Sequence, residues 1–167
     1  LKIISQLMIA VEFIHYHDFM IRDLKSDNII IDKNHNITLI DFDWSKKNID
    51  FQNVNTVDIG NNYFISPEQY NSNEYSFESD IYSLGMLIYL ILTEQKLENI
   101  ISVYDLFFES ESKGNILNSE KIPSIPNEFD YLLCVFKHCL ENSPKNRPTI
   151  AELYKNYQKT ICSKYDN

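Results

Sequence analysis

Glycine is scarce in this chain, with three residues in 167, and tryptophan occurs once. Collagen-like repeats and glycine-rich low-complexity text are thereby excluded. Cysteine is equally sparse: Cys134, Cys139 and Cys162 form neither a C-x-x-C pair nor an even framework, which argues against a zinc ribbon and a disulfide scaffold. The expected setting is reducing and cytoplasmic, with Cys134 and Cys139 as buried structural thiols in the apolar run 131–140. Positive charge is also short. Fifteen Lys and Arg stand against 24 Asp and Glu, a formal net charge of −9, so neither nucleic acid nor an anionic membrane surface is an expected partner. The longest apolar run, residues 81–92, is shorter than the roughly 20 residues of a membrane span. It reads as a buried core helix. No basic-then-apolar leader precedes it, and the first residues read as the middle of a helix, as in a truncated domain.

Hydrophobic residues make up 44% and charged residues 23%, the balance of a soluble globular protein. A domain of this length can bury roughly 68–70% of its unfolded surface. Ile4, Leu7, Met8, Val11 and Ile14 recur at three- and four-residue intervals, which predicts a helix over 1–15. Residues 28–32 and 36–41 are short Ile-rich strings around the turn-forming Lys33, Asn34 and His35, a small hairpin. Residues 42–70 lack a sustained period and read as a long loop, a feature that is usually functional when present. Ser79 and Asp80 are expected to cap the helix 81–92. The stretch 93–126 carries the weakest signal, and helical spacing resumes over 128–140 and 149–161, separated by a segment that Pro144 and Pro148 break. The expected fold is a single, mainly α domain with a small β-hairpin near its start.

Four polar residues sit among these apolar elements: Asp23, Lys25, Asn28 and Asp41. A carboxylate and an amide oxygen at neighbouring strand ends suit a magnesium ion, which prefers hard oxygen ligands and keeps positions for water and phosphate. Asn28 and Asp41 fit that task. A lysine two residues beyond an aspartate can neutralise a transferring phosphoryl group while the aspartate accepts a hydroxyl proton. Asp23 and Lys25 fit that one. The histidines His15, His17, His35 and His138 lack metal-ligand spacing and read as structural or surface residues.

The order Arg22-Asp23-Leu24-Lys25-x-x-Asn28, then Asp41-Phe42, then Ser66-Pro67-Glu68, resembles the catalytic loop, magnesium-binding motif and activation-segment end of eukaryotic protein kinases. Asp80, the apolar helix with Gly85, and Arg147-Pro148 resemble later landmarks of that family, so the resemblance spans nearly the whole chain. It implies a kinase C-terminal (large) lobe over 1–167, with a catalytic loop at 21–28, an activation segment at 41–68 and a helical subdomain at 79–163. It also implies ATP and Mg²⁺ as cofactors and protein substrates as partners. Asp23 would orient and deprotonate the acceptor hydroxyl, Lys25 would contact the γ-phosphate, and Asn28 and Asp41 would hold Mg²⁺. Ile30 would lie under the adenine, resting on Leu87 and Ile91, and Glu68 and Arg147 would form a buried ion pair. Lys25 points to the serine/threonine-directed branch. Arg22, helped by Lys46, would pair with a phosphate on Thr56, with Asp58 as an alternative fixed charge.

Departures accompany the match. The family's histidine before Arg22 is Ile21, expected to stack on Phe42. Its glycine after Phe42 is Asp43, and Asn61 stands where a threonine is usual. No Gly-x-Gly-x-x-Gly loop, no strand lysine and no partner glutamate precede Asp23, so the N-terminal lobe is expected to be absent from this chain and the fragment inactive by itself. Three functions compete: a Ser/Thr protein kinase in the full-length protein, a pseudokinase that binds partners without catalysis, and a small-molecule phosphotransferase with the same Asp-x-x-x-x-Asn spacing.

Overall fold

The computed structural model describes residues 1–47, 64–72, 74–93 and 127–165, without the side chains of 127, 133 and 134. Thr56, Asp58 and Asn61 lie outside the described residues, as does the side chain of Cys134. Helix α1 (Lys2–Tyr16) buries Ile4, Leu7, Met8 and Val11, the stripe its spacing predicts. It ends where Asp18 takes a left-handed conformation (φ 61°) and its N–H turns back to the His15 carbonyl. The chain then enters β1 (Phe19–Met20).

Strands β2 (Ile29–Ile31) and β3 (Ile37–Leu39) form the expected hairpin, with Ile29 opposite Leu39, Ile30 opposite Thr38 and Ile31 opposite Ile37. Alternation puts Ile29, Ile37 and Leu39 on the core, and Ile30 on the other face, 54% exposed. Its turn is locked by Asp32, which accepts the N–H groups of Asn34 and Asn36, both at 2.8 Å. Lys2 and Gln6 of α1 tie down the same turn: Lys2 donates to the Asn34 carbonyl (2.7 Å) and Gln6 to the His35 carbonyl (2.8 Å).

The segment 42–70 is not structureless where it is described. Strand β4 (Lys46–Lys47) pairs antiparallel with β1, and helix α2 (Pro67–Ser72) begins on a proline. A two-residue strand is too short to show a period, whereas a proline at the first helical position is a readable start signal. Helix α3 (Phe77–Thr93) also starts earlier than expected. Ser79 and Asp80 lie in its first turn, where Ser79 Oγ accepts the Ser76 N–H (3.2 Å). The helix is buried nearly all round, against α1, α4 (Asp130–Phe136) and the 3₁₀ turn Lys137–Leu140.

The helix expected over 128–140 is therefore an α segment between 3₁₀ turns at Asn127–Phe129 and Lys137–Leu140. Close packing sets its place. A Cβ on Gly85 of α3 would meet Cys139 Cβ at 2.6 Å, so only glycine lets this turn approach. Burial pushes the Cys139 thiol pKa up to about 12, as for an inert packing residue. Helix α5 (Ile150–Tyr165) opens with a capping box: Glu152 accepts the Thr149 N–H at 2.9 Å, and the Glu152 N–H donates to Thr149 Oγ1 at 3.3 Å. It closes the core against α1 and α4. The described part is thus mostly helical, with two small antiparallel sheets. No described helix is long and apolar enough to cross a membrane.

Candidate active site

Residues between β1 and β2 form an extended loop ending in the 3₁₀ turn Ser26–Asn28. Asn28 is buried there, and its Nδ2 donates at 2.9 Å to both the Asp23 carbonyl and Asp23 Oδ2. Lys25 Nζ lies 2.7 Å from the same Oδ2. One carboxylate oxygen is thus fixed by an amide and an ammonium, while Oδ1 has no hydrogen bond among the described residues. The Asp23 side chain is 19% exposed, open enough to meet a ligand. An aspartate so held can accept a proton from a hydroxyl with its free oxygen, and the lysine supplies positive charge nearby.

With both hydrogens of its amide committed to Asp23, Asn28 offers its Oδ1 as an acceptor. Asp41, just beyond β3, adopts φ 62° and is exposed; its Oδ1 accepts only a long contact from the Asp43 N–H (3.4 Å). Amide and carboxylate oxygens are the hard donors that Mg²⁺ takes. No group of three His, Cys, Asp or Glu suited to a metal occurs among the described residues, so a cation held by these two side chains would need water or phosphate oxygens to complete its shell.

Ile30 is on the outer face of the hairpin, 54% exposed, while Ile29 takes the inner face and packs against the core. Ile21 is buried at 4% in the core cluster, and Phe42 is 46% exposed. The backbone of Ile21 is held as well: its carbonyl accepts from Ser45 Oγ (3.2 Å) and its N–H donates to Asp80.

Asp80 is fully buried at the start of α3 and anchors this loop. It accepts the N–H of Ile21 at Oδ2 (2.8 Å) and that of Arg22 at Oδ1 (2.9 Å). His15 Nε2 donates to Oδ2 at 2.9 Å, and the Tyr75 hydroxyl donates to Oδ1. Arg22 is left-handed (φ 70°), a conformation that a non-glycine residue keeps only when its surroundings impose it. Its guanidinium carbon lies 4.9 Å from the Tyr75 ring centre. His15, read from sequence as a structural or surface residue, is structural here, whereas Tyr75 sits in no recognisable pattern with Asp80. Lys46 is half-buried in β4, opposite Met20.

Glu68 of α2 and Arg147 form the second anchor. Arg147 Nη1 and Nη2 reach the two Glu68 oxygens at 2.6 and 2.7 Å, and its remaining hydrogens go to the carbonyls of Glu141, Asn142 and Glu78. Ser79 Oγ donates to Glu68 Oε1 at 2.7 Å. Burial pushes the Glu68 carboxyl up, but the hydrogen bonds and charge of Arg147 outweigh it and hold the group below its ordinary 4.5.

Comparison with known proteins agrees with the geometry. A family model described as "Protein kinase domain" matches residues 1–157. The chain is 32% identical over 154 residues to a Dictyostelium discoideum protein named "Probable serine/threonine-protein kinase", covering 91% of the chain and 35% of that protein. A second Dictyostelium discoideum protein of the same designation is 32% identical over 145 residues, 84% of the chain and 8% of its own length. Mitogen-activated protein kinase kinase kinase 2 of Arabidopsis thaliana is 30% identical over 158 residues, 90% of the chain and 23% of that protein. The chain therefore spans about a third or less of these relatives.

Proposed function

The chain belongs to the protein kinase family, and from that premise we propose that it is the C-terminal lobe of a Ser/Thr kinase, which in the full-length protein transfers phosphate from ATP to serine or threonine hydroxyls of proteins. The observation that carries this reading is the Asp23 carboxylate, tied at Oδ2 by Lys25 and Asn28 and free at Oδ1. Asp23 orients the acceptor hydroxyl and takes its proton, and Lys25 meets the γ-phosphate. Asn28 and Asp41 would hold Mg²⁺, which together with ATP supplies the phosphoryl group and the charge that neutralises it. Residues 21–28 act as the catalytic loop, 41–68 as the activation segment and 79–163 as the helical subdomain. The outward Ile30 is free to meet an adenine ring, and Arg22, with Lys46, is available to a phosphate on Thr56. No pattern within 1–167 provides the glycine-rich loop or strand lysine, so the nucleotide-covering lobe comes from outside these residues, and the fragment alone transfers little phosphate.

A second reading, a pseudokinase that binds partners, is favoured by Ile21, which replaces a hydrogen-bonding ring by a buried apolar side chain, and by Asp43 beside Asp41. One measurement separates the two. Full-length protein and its Asp23→Asn variant are incubated with labelled ATP, Mg²⁺ and a generic protein substrate. Transfer by the wild type, reduced roughly 10²- to 10⁴-fold in the variant, is the expected result. Equal signals remove the enzyme reading, and Mg²⁺-dependent nucleotide binding without transfer establishes the pseudokinase.

A further inference from the structure

Tyr75 lies in the short link between α2 and α3, outside every motif that identified the site. Its hydroxyl donates to Asp80 Oδ1, the same oxygen that accepts the Arg22 N–H. Its ring faces the Arg22 guanidinium at 4.9 Å, a cation–π arrangement. One side chain thus touches Arg22 twice, at its main chain through Asp80 and at its guanidinium directly. Arg22 is the residue whose left-handed turn (φ 70°) presents the next residue, Asp23. We propose that Tyr75 is a positioning residue for Asp23: it braces the strained Arg22 turn from both sides and so fixes where the carboxylate stands.

Asp80 receives four donors, and its bond to the Arg22 N–H is the one that maintains the strained dihedral. An unbraced carboxylate can rotate between donors, whereas a phenol bound to Oδ1 keeps that oxygen aimed at Arg22. Burial, followed by the negative charge of Asp80, raises the phenol's pKa well above 10, so the hydroxyl stays a donor at any working pH. The ring is needed separately, because a guanidinium left free to swing would pull on the same backbone.

Only the catalytic consequence depends on the phosphotransfer reading; the brace itself does not. In full-length protein, Tyr75→Phe keeps the ring and removes the hydroxyl, while Tyr75→Leu removes both. Amide hydrogen exchange at Arg22 should accelerate roughly 10- to 100-fold in Tyr75→Phe, as expected for loss of a hydrogen bond to a charged group, with protection of the α3 core amides unchanged. In the same variant kcat should fall on the order of 10-fold with the KM for ATP unaltered, because Asn28 and Asp41 are untouched. Tyr75→Leu should exceed Tyr75→Phe in both readouts. Unchanged Arg22 exchange in both variants overturns the brace, whatever the activity. Faster exchange with an undiminished kcat overturns the positioning role. Faster exchange in a protein whose wild type transfers no more phosphate than Asp23→Asn supports the brace and defeats the proposed function instead.

Discussion

The molecule contains two clusters of charge that solve opposite problems. Around Glu68 and Arg147 every donor of the guanidinium has an acceptor, and the arginine side chain is 0% exposed. Around Asp23, Lys25 and Asn28, and at the exposed Asp41 just beyond β3, several oxygens have no partner among the described residues, and the side chains of Asp23 and Lys25 are 19% and 29% exposed. Complete satisfaction makes a buried charge tolerable and its geometry rigid. Incomplete satisfaction, kept where water and ligands reach, leaves bonding capacity for chemistry. Asp80 belongs to the first kind yet acts on the second, since its buried oxygens hold the backbone from which Asp23 projects.

If that contrast is right, the largest stability loss comes from Arg147. Arg147→Met strands the Glu68 carboxylate and should destabilise the protein by about 3 to 5 kcal/mol in denaturant unfolding. A loss below about 1 kcal/mol would erase the distinction between the clusters. Gly85→Ala comes next. Alanine favours the helix, but its Cβ collides with Cys139, and overpacking of about 1 to 3 kcal/mol should dominate in the same assay. Acid titration gives a smaller and more specific signal. Because the folded Glu68 pKa is depressed, its contribution is present above the ordinary 4.5 and is lost as pH falls through the folded value. Wild type should therefore lose stability in that window more steeply than Arg147→Met; parallel curves would show that the ion pair does not govern it. The smallest effect belongs to Asp41→Asn. Asparagine tolerates the left-handed backbone, so stability should change by no more than about 0.5 kcal/mol. In the proposed enzyme, its Mg²⁺ requirement for nucleotide binding should nevertheless rise. A large stability loss at Asp41 would place it with the structural charges.

Much of the fold follows from short-range pattern. The stripe Ile4, Leu7, Met8 and Val11 specifies α1 because only a 3.6-residue period brings these side chains together, and the Ile-rich strings around Lys33, Asn34 and His35 specify the hairpin. Boundaries were harder to read. Helix α3 begins at Phe77, so Ser79, which reads as the cap of a helix from residue 81, lies in the first turn and accepts the Ser76 N–H there. Strand β4 has two residues and exists because β1 lies beside it. In the candidate site, Asp23, Lys25, Asn28 and Asp41 stand out by spacing and residue type, whereas His15 reads only as a structural or surface residue and Tyr75 carries no signal: His15 is 65 positions from Asp80, and Tyr75, five positions from it, meets the Arg22 side chain only in the fold.

Sequence alone determined the helical character of the chain, its hairpin and the candidate groups of the site, because hydrophobic period and side-chain chemistry are local properties. Tertiary structure decided which groups are bound and which are open. Asp80 ends fully satisfied because His15, Ile21 and Arg22, 58 to 65 positions away along the chain, are folded onto it, whereas Asp23, among the described residues, is bonded by its near neighbours Lys25 and Asn28 alone and keeps an oxygen to spare.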